Sequence, residues 1–138
     1  MFNKMIYGIG TDILDINRIK EVITKYENKF LLRFFSSDEI KESKNKINKN
    51  LFFAERFSAK EAFWKAVSPS KNEFIKFNEI EILCHLKNIP VINLLGETKR
   101  FFEVKEKNLN KNFTFHISLS SVPPNVLSYV VIYLSEEK

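Results

Sequence analysis

The first stretch whose side chains could do chemistry is residues 8–19, GIGTDILDINRI. Asp12 stands just after Gly8 and Gly10, between a short apolar segment and the expected start of a helix. A carboxylate at such a place either caps the helix or binds a metal ion, and the spacing alone favours the cap. Glycines in a strand often mark the close approach of a ligand or of another backbone. The third glycine of a dinucleotide-binding fingerprint is absent, so that kind of site is not predicted.

The second stretch is residues 53–66, FAERFSAKEAFWKA, which the pattern predicts to be helical. Arg56 and Lys60 are four residues apart, as are Glu61 and Lys65, so each pair shares a face of the helix. Taken singly, such pairs are typical of a solvated surface. Here the charges are interleaved with the apolar side chains of a core helix, so they need partners. A metal ion with a phosphate-bearing ligand would supply those partners.

The elements that must position these residues are predicted from apolar periodicity and from turn and cap residues. The first half of the chain is predicted to form a strand at 5–10, a helix with an apolar stripe from Ile16 to Phe30, and a helix that a capping box from Ser36 to Glu39 opens. A further helix at 52–67 is predicted to end at Ser68 and Pro69. The second half is predicted to form strands at 80–84 and 91–95, a helix at 96–108, and strands at 113–119 and 127–134. Thr11 or Asp12 is expected to cap the first helix, and the polar segment 41–50 is expected to be frayed or looped. The strand at 80–84 is expected to have a wetter face that includes Glu81. The order indicates an α+β fold, in which helices come first and a largely antiparallel sheet, joined by the first strand, comes later.

Composition limits the class of protein. The chain has 138 residues, 44% of them hydrophobic and 14 of them Phe, which fits one globular domain over residues 1–138. A single cysteine excludes a disulfide framework and a Cys-rich zinc site, whereas a hard cation with oxygen ligands stays possible. No apolar run reaches the roughly 18 residues of a membrane span, and no secretory pattern is present, so a cytoplasmic location is expected. The net charge of +5 favours an acidic partner or a phosphate-bearing ligand.

Four motifs follow one another along almost the whole chain. They are G-x-G-x-D with R-I after five further residues at 8–19, hydrophobic-S-x-x-E at 35–39, R-F-x-x-K-E-A-x-x-K-A at 56–66 and H-x-S-hydrophobic at 116–119. In their order and spacing, these motifs resemble those of the holo-acyl-carrier-protein synthases.

The resemblance implies a 4′-phosphopantetheinyl transferase, an enzyme that supports fatty acid biosynthesis. Such enzymes move the phosphopantetheine arm of coenzyme A onto a serine of apo-acyl carrier protein and release adenosine 3′,5′-bisphosphate. The resemblance further implies dependence on Mg²⁺ and a homotrimer with active sites at the subunit interfaces.

The resemblance also implies roles for individual residues. Asp12 and Glu61 are expected to bind the metal ion, and catalysis is expected to involve Asp12, Glu61 and Lys65. The residues expected to contact coenzyme A are Arg56, Lys60, Lys65 and His116. Arg18, with help from Lys25, is expected to dock the acidic carrier protein. Magnesium is commonly held by one or two carboxylates together with phosphates and water. The base that takes the serine proton stays open between Glu61, Lys65 and a metal-bound hydroxide.

One departure from the family pattern concerns the loop after the second motif. Val67-Ser68-Pro69-Ser70 replaces a glycine-bearing loop, which removes flexible backbone that would otherwise surround a phosphate. This change is expected to affect nucleotide affinity rather than the reaction.

Other interpretations of these residues stay open. His116 is equally well a structural histidine, and Phe63 and Trp64 are most simply packing residues. The alternative function is a small basic nucleic-acid-binding module, since positive charge and aromatic residues together can follow a phosphate backbone. Its standard signatures are absent and the lysines are dispersed, so neither a nucleic acid nor a membrane is the expected partner.

Overall fold

The computed structural model describes residues 3–68, 74–84 and 88–136. The elements in chain order are β1 (Lys4–Asp15), α1 (Ile16–Tyr26), α2 (Asn28–Phe34), α3 (Ser37–Ser43), α4 (Lys49–Val67), a 3₁₀ turn (Phe77–Glu79), β2 (Ile80–Cys84), β3 (Pro90–Leu94), α5 (Gly96–Leu109), β4 (Lys111–Val122) and β5 (Asn125–Glu136). Strands β1, β5 and β4 form one antiparallel sheet in that order, and β2 and β3 form a separate antiparallel pair. The α+β prediction is confirmed. None of the described helices is long and apolar enough to cross a membrane.

Strand β1 is longer than the predicted strand at 5–10. It pairs with β5 from Lys4 through to Asp15, so the extended backbone continues past Gly10. The prediction that Thr11 or Asp12 caps α1 is therefore wrong. The cap is Asp15, whose Oδ1 accepts a hydrogen bond of 2.8 Å from the backbone N–H of Asn17. Pairing with a distant strand decides this boundary, and no local pattern reports it.

The predicted single helix after β1 is two helices. The chain breaks at Glu27, whose φ of 51° lies in the left-handed region, and α2 then carries Phe30 into the core. The capping box at Ser36 and Glu39 is confirmed as the start of α3. Helix α4 begins at Lys49, earlier than predicted, because the side chain of Asn48 caps it. The segment predicted to be frayed or looped therefore consists of the end of α3, a short turn and the first turn of α4.

Helix α4 lies against β1 and β5, and its packing forms the centre of the fold. One core cluster surrounds its second half around Phe63 and Phe102, and the other surrounds its first half around Phe35 and Phe53. Burial of such aromatic side chains is a main source of stability, since each removes a large apolar area from water.

Gly8 and Gly10 allow β1 to approach α4 closely. A Cβ at Gly10 would collide with the carbonyl oxygen of Ala62, and one at Gly8 would collide with that of Ala66. The two glycines therefore mark the approach of another backbone, which is one of the two interpretations that the sequence left open.

Candidate functional site

Asp12 and Glu61 line the same pocket, which has a volume of about 260 Å³. Asp12 comes from β1 and Glu61 from α4, and Arg18 of α1 lines the pocket beside them. The close packing at Gly10 and Ala62 explains this arrangement. Asp12 follows Gly10 by two residues, and Glu61 precedes Ala62 directly, so the strand and helix contact also brings the two acids together.

Lys65 lies beside these charges, but its partner is Asp12 and not Glu61. Its Nζ lies 3.3 Å from Oδ1 of Asp12 and donates a hydrogen bond of 3.0 Å to the carbonyl oxygen of Thr11. The predicted ion pair between Glu61 and Lys65 on one helix face is not formed. The reason is that β1 presents a carboxylate and a carbonyl oxygen to the same ammonium group.

Burial raises the pKa of Glu61 above its usual range, and the negative charge of Asp12 raises it further, whereas the charge of Lys65 acts in the opposite direction. Asp12 and Glu61 are thus neighbouring carboxylates at the pocket, with Lys65 bonded to Asp12 and Arg18 beside them. Within the three described segments, no group of three or more His, Cys, Asp or Glu could hold a metal ion. A pair of carboxylates that leaves room for phosphate oxygens and water is nevertheless the donor set that Mg²⁺ commonly uses. Asp12 and Glu61 therefore fit this ion.

Lys60 lies on a different side of α4 and is fully buried. Its Nζ forms an ion pair of 2.5 Å with Oε1 of Glu39 and donates to the carbonyl oxygen of Phe77 at 2.9 Å. Burial lowers the pKa of Lys60 to about 8, although the charge of Glu39 opposes this shift. An ammonium group held in this way does not face a ligand that arrives from solvent. The structure thus gives Lys60 a place in the core rather than the expected one beside phosphates.

The buried polar network around Lys60 extends to β2. The Ser36 hydroxyl donates to Oε2 of Glu81 at 2.6 Å, and the Asn93 side chain donates to Oε1 of Glu81 at 3.1 Å. Glu81 is therefore buried, and the prediction that it lies on a wetter strand face is wrong. Its buried charge is accommodated because both carboxylate oxygens accept hydrogen bonds.

Arg56 lines a second and larger pocket of about 550 Å³, between α4 and β4. Its guanidinium group lies 3.6 Å from the centre of the Phe52 ring, and Nη2 lies 3.5 Å from Oε1 of Glu42. Nε is buried and has no hydrogen-bond partner among the described residues. Because Arg56 and Glu61 are five residues apart on a helix, they point to different sides of α4. One chain therefore has two separate pockets.

His116 lies on β4 and is exposed. It pairs with Val131 of β5, and its ring packs edge to face against that of Tyr133 at 5.5 Å. Strand β5 separates β4 from β1, so the structure does not bring His116 to Asp12 within one chain.

Arg18 and Lys25 are both exposed on α1. Arg18 lines the pocket that contains Asp12 and Glu61, which we call the acidic pocket. Lys25 lines a shallow groove of about 440 Å³ along the same helix. Part of the segment Val67-Ser68-Pro69-Ser70 lies outside the described residues. Ser68 ends α4 in the left-handed conformation, whereas Pro69 and Ser70 are not described.

The prediction that Phe63 and Trp64 both pack is correct only for Phe63. Phe63 is fully buried against Phe102 and Phe115, but the Trp64 side chain is 43% exposed.

Comparison with known proteins gives a consistent result. Residues 8–118 match the 4′-phosphopantetheinyl transferase superfamily. The holo-[acyl-carrier-protein] synthase of Zymomonas mobilis is 39% identical over 130 residues, covering 93% of this chain and 96% of that protein.

Two solved structures are similar over nearly the whole chain. That of the holo-[acyl-carrier-protein] synthase from Neisseria meningitidis gives a TM-score of 0.80 at 29% identity and covers 97% of this chain and 100% of the other. The structure of the Helicobacter pylori holo-[acyl-carrier-protein] synthase in complex with coenzyme A gives a TM-score of 0.69 at 32% identity. The match covers 90% of this chain and 98% of the other. The chain therefore belongs to the 4′-phosphopantetheinyl transferase superfamily, and within it to the holo-[acyl-carrier-protein] synthases.

Proposed function

We propose that this protein transfers the 4′-phosphopantetheine group of coenzyme A to a serine of apo-acyl carrier protein and releases adenosine 3′,5′-bisphosphate. The observation that carries the proposal is the meeting of Asp12, Glu61 and Lys65, from two distant motifs, at one pocket. Relatives named holo-[acyl-carrier-protein] synthase, one of them in complex with coenzyme A, support the choice of donor and acceptor. The reaction supplies holo-acyl carrier protein to fatty acid biosynthesis in the cytoplasm.

Asp12 and Glu61 would hold Mg²⁺ at this pocket. When bound, the ion would offset negative charge that builds on the phosphoryl and leaving oxygens during transfer. Lys65 contributes positive charge at the same place, and its half-exposed Nζ can exchange its hydrogen bond to Asp12 for one to a phosphate oxygen. Arg56, with its unpartnered buried Nε, offers a second site for a phosphate group of the coenzyme A nucleotide. Lys60 is left out of the ligand set because its ammonium is already bonded in the core.

The proton of the attacking serine must pass to a nearby base. Glu61 and Lys65, two of the three candidates that the sequence left open for this role, both lie at the pocket.

We propose further that three chains assemble through the outer face of the β1–β5–β4 sheet. That face carries exposed apolar side chains in paired positions, such as Ile13 opposite Leu127. Exposed apolar patches of this kind are typical of protein interfaces. A trimer would also join the acidic pocket of one subunit to the Arg56 pocket and His116 of another, which a single chain keeps apart. The completed site would then lie at the subunit interface.

Ligand-dependent thermal stability tests this function against the nucleic-acid-binding alternative. A ligand at a hundred times its Kd stabilises a protein by about 2.7 kcal/mol, so coenzyme A with Mg²⁺ should raise the Tm measurably. Asp12→Asn should reduce this shift. Single-stranded DNA or RNA should leave the Tm unchanged. A Tm that responds to nucleic acid and not to coenzyme A would replace the proposed function with the alternative.

A further inference from the structure

The surface of α4 opens to solvent next to the acidic pocket. After Lys49, the first residue of this helix, only Trp64 and Lys65 are exposed, and Glu61 is half-buried. Phe63, the neighbour of Trp64, is fully buried. The large indole group of Trp64 is thus partly exposed to water, whereas the other aromatic side chains of the helix are largely buried.

Helix geometry places Trp64 beside the residues of the proposed site. It is three positions after Glu61, which corresponds to about 4.5 Å along the helix axis and to neighbouring positions on one side. Lys65, which bonds to Asp12, follows directly. Isolated exposed apolar side chains are common on protein surfaces. The position of Trp64 between a carboxylate and a lysine of the site, rather than its exposure alone, therefore carries the inference.

We propose that Trp64 stacks on the adenine ring of the coenzyme A donor and contributes to its recognition. This inference rests on the proposed function. Adenine is the flat aromatic group of that donor, and a ribose links it to the pyrophosphate that the Asp12 and Glu61 pocket would hold. The pantetheine arm is a flexible chain of amides and has no aromatic face for an indole. Base stacking on an aromatic side chain is a substantial and sequence-independent source of affinity.

Intrinsic fluorescence gives a direct readout, because Trp64 is the only tryptophan of the chain. With Mg²⁺ present, adenosine 3′,5′-bisphosphate should quench the emission of the wild-type protein in a saturable way. At the same concentrations, 4′-phosphopantetheine should leave it unchanged. Quenching by 4′-phosphopantetheine instead would place the pantetheine arm at Trp64 and overturn the assignment to adenine.

Calorimetric titration of variants separates stacking from apolar contact. Trp64→Leu keeps an apolar side chain without an aromatic face and should weaken binding of adenosine 3′,5′-bisphosphate about five- to a hundredfold. Trp64→Phe should bind nearly as well as wild type. Tyr26→Leu, which removes a half-exposed aromatic ring from α1, is the matched control and should not change the affinity.

The outcomes distinguish this inference from the proposed function. If the wild-type protein transfers phosphopantetheine while Trp64→Leu binds the nucleotide as tightly as wild type, the stacking role is wrong and the transferase function stands. If the wild-type protein binds neither coenzyme A nor adenosine 3′,5′-bisphosphate, both are wrong.

Discussion

At the scale of single residues, the acidic pocket brings two carboxylates together beside Lys65 and Arg18. Lys65 bonds to Asp12 and not to Glu61, so Glu61 is left half-buried beside a like charge, and its pKa is raised. Two like charges held close together repel each other, and a divalent cation held by Asp12 and Glu61 would offset this repulsion. The arrangement therefore favours ligand binding over the stability of the free protein.

The first prediction concerns these two acids. Asp12→Asn and Glu61→Gln keep the side-chain shape and remove one ligand charge each. Either change should lower the rate of phosphopantetheine transfer about a hundredfold or more, because charge on the phosphoryl oxygens is no longer offset. The free energy of unfolding should stay within about 0.5 kcal/mol of wild type or rise, since like-charge repulsion is relieved.

Glu103→Gln, at an exposed carboxylate on α5, is the control and should behave as wild type. A variant of Asp12 or Glu61 with near-normal turnover would remove that residue from the metal ligands.

The second prediction concerns the docking of the carrier protein. Arg18 is exposed and lies at the edge of the same pocket. Arg18→Glu should raise the KM for an acidic apo-acyl carrier protein several-fold, and more so at low salt, because screening weakens charge–charge attraction. Lys25→Glu should act in the same direction. The KM for coenzyme A should barely change.

Arg100→Glu is the matched control for this experiment, since it makes the same charge change at an exposed position on α5. If Arg100→Glu has as large an effect as Arg18→Glu, net charge and not a docking surface explains the result.

At the scale of elements, the site depends on how closely β1 approaches α4. The third prediction is that Gly10→Ala separates them, because its Cβ would overlap the backbone carbonyl oxygen of Ala62. We expect a loss of about 1–3 kcal/mol in the free energy of unfolding. Transfer activity should fall even at temperatures where the variant is folded, because Asp12 moves relative to Glu61. Chemical denaturation and an activity assay measure the two effects. Lys99→Ala, at an exposed position on α5, is the control. A Gly10→Ala variant with unchanged stability and activity would show that close packing is not what positions the acids.

Local sequence patterns predicted most of the elements but not the contacts between them. The capping box at Ser36 and the periodicity of α4 depend on residues within one or two turns, and both predictions were correct. The extension of β1 to Asp15 depends on its pairing with β5, more than a hundred positions away in the sequence. The burial of Glu81 depends on Ser36 in the same way.

The same distinction applies to the candidate site. Motif spacing identified Asp12, Glu61 and Lys65, and the structure brings these three together. Motif spacing did not identify the partner of Lys65. Glu61, four positions away on the same helix, is the partner that local spacing suggests, whereas the observed partner is Asp12 on the distant strand β1. For the same reason, the buried partner of Lys60 on α3 was not predicted.

At the scale of the whole molecule, the fourth prediction is a homotrimer. Sedimentation should give three times the chain mass of 16.3 kDa at micromolar concentration. Leu127→Asp places a charge on the exposed face of the sheet, so it should dissociate the assembly and abolish transfer. Val104→Asp, at an exposed apolar position on α5, should remain trimeric and active. A stable wild-type monomer would contradict both the trimer and an active site at its interface.

The fifth prediction, and the most direct test of the proposed function, is a transfer reaction followed by mass spectrometry of the carrier protein. With coenzyme A and Mg²⁺, wild-type protein should add the mass of one phosphopantetheine group to a serine of apo-acyl carrier protein and release one adenosine 3′,5′-bisphosphate for each group transferred. Omitting Mg²⁺, or using Glu61→Gln, should remove both products. An unchanged carrier-protein mass, from wild-type protein that is folded and supplied with coenzyme A and Mg²⁺, would contradict the proposed function.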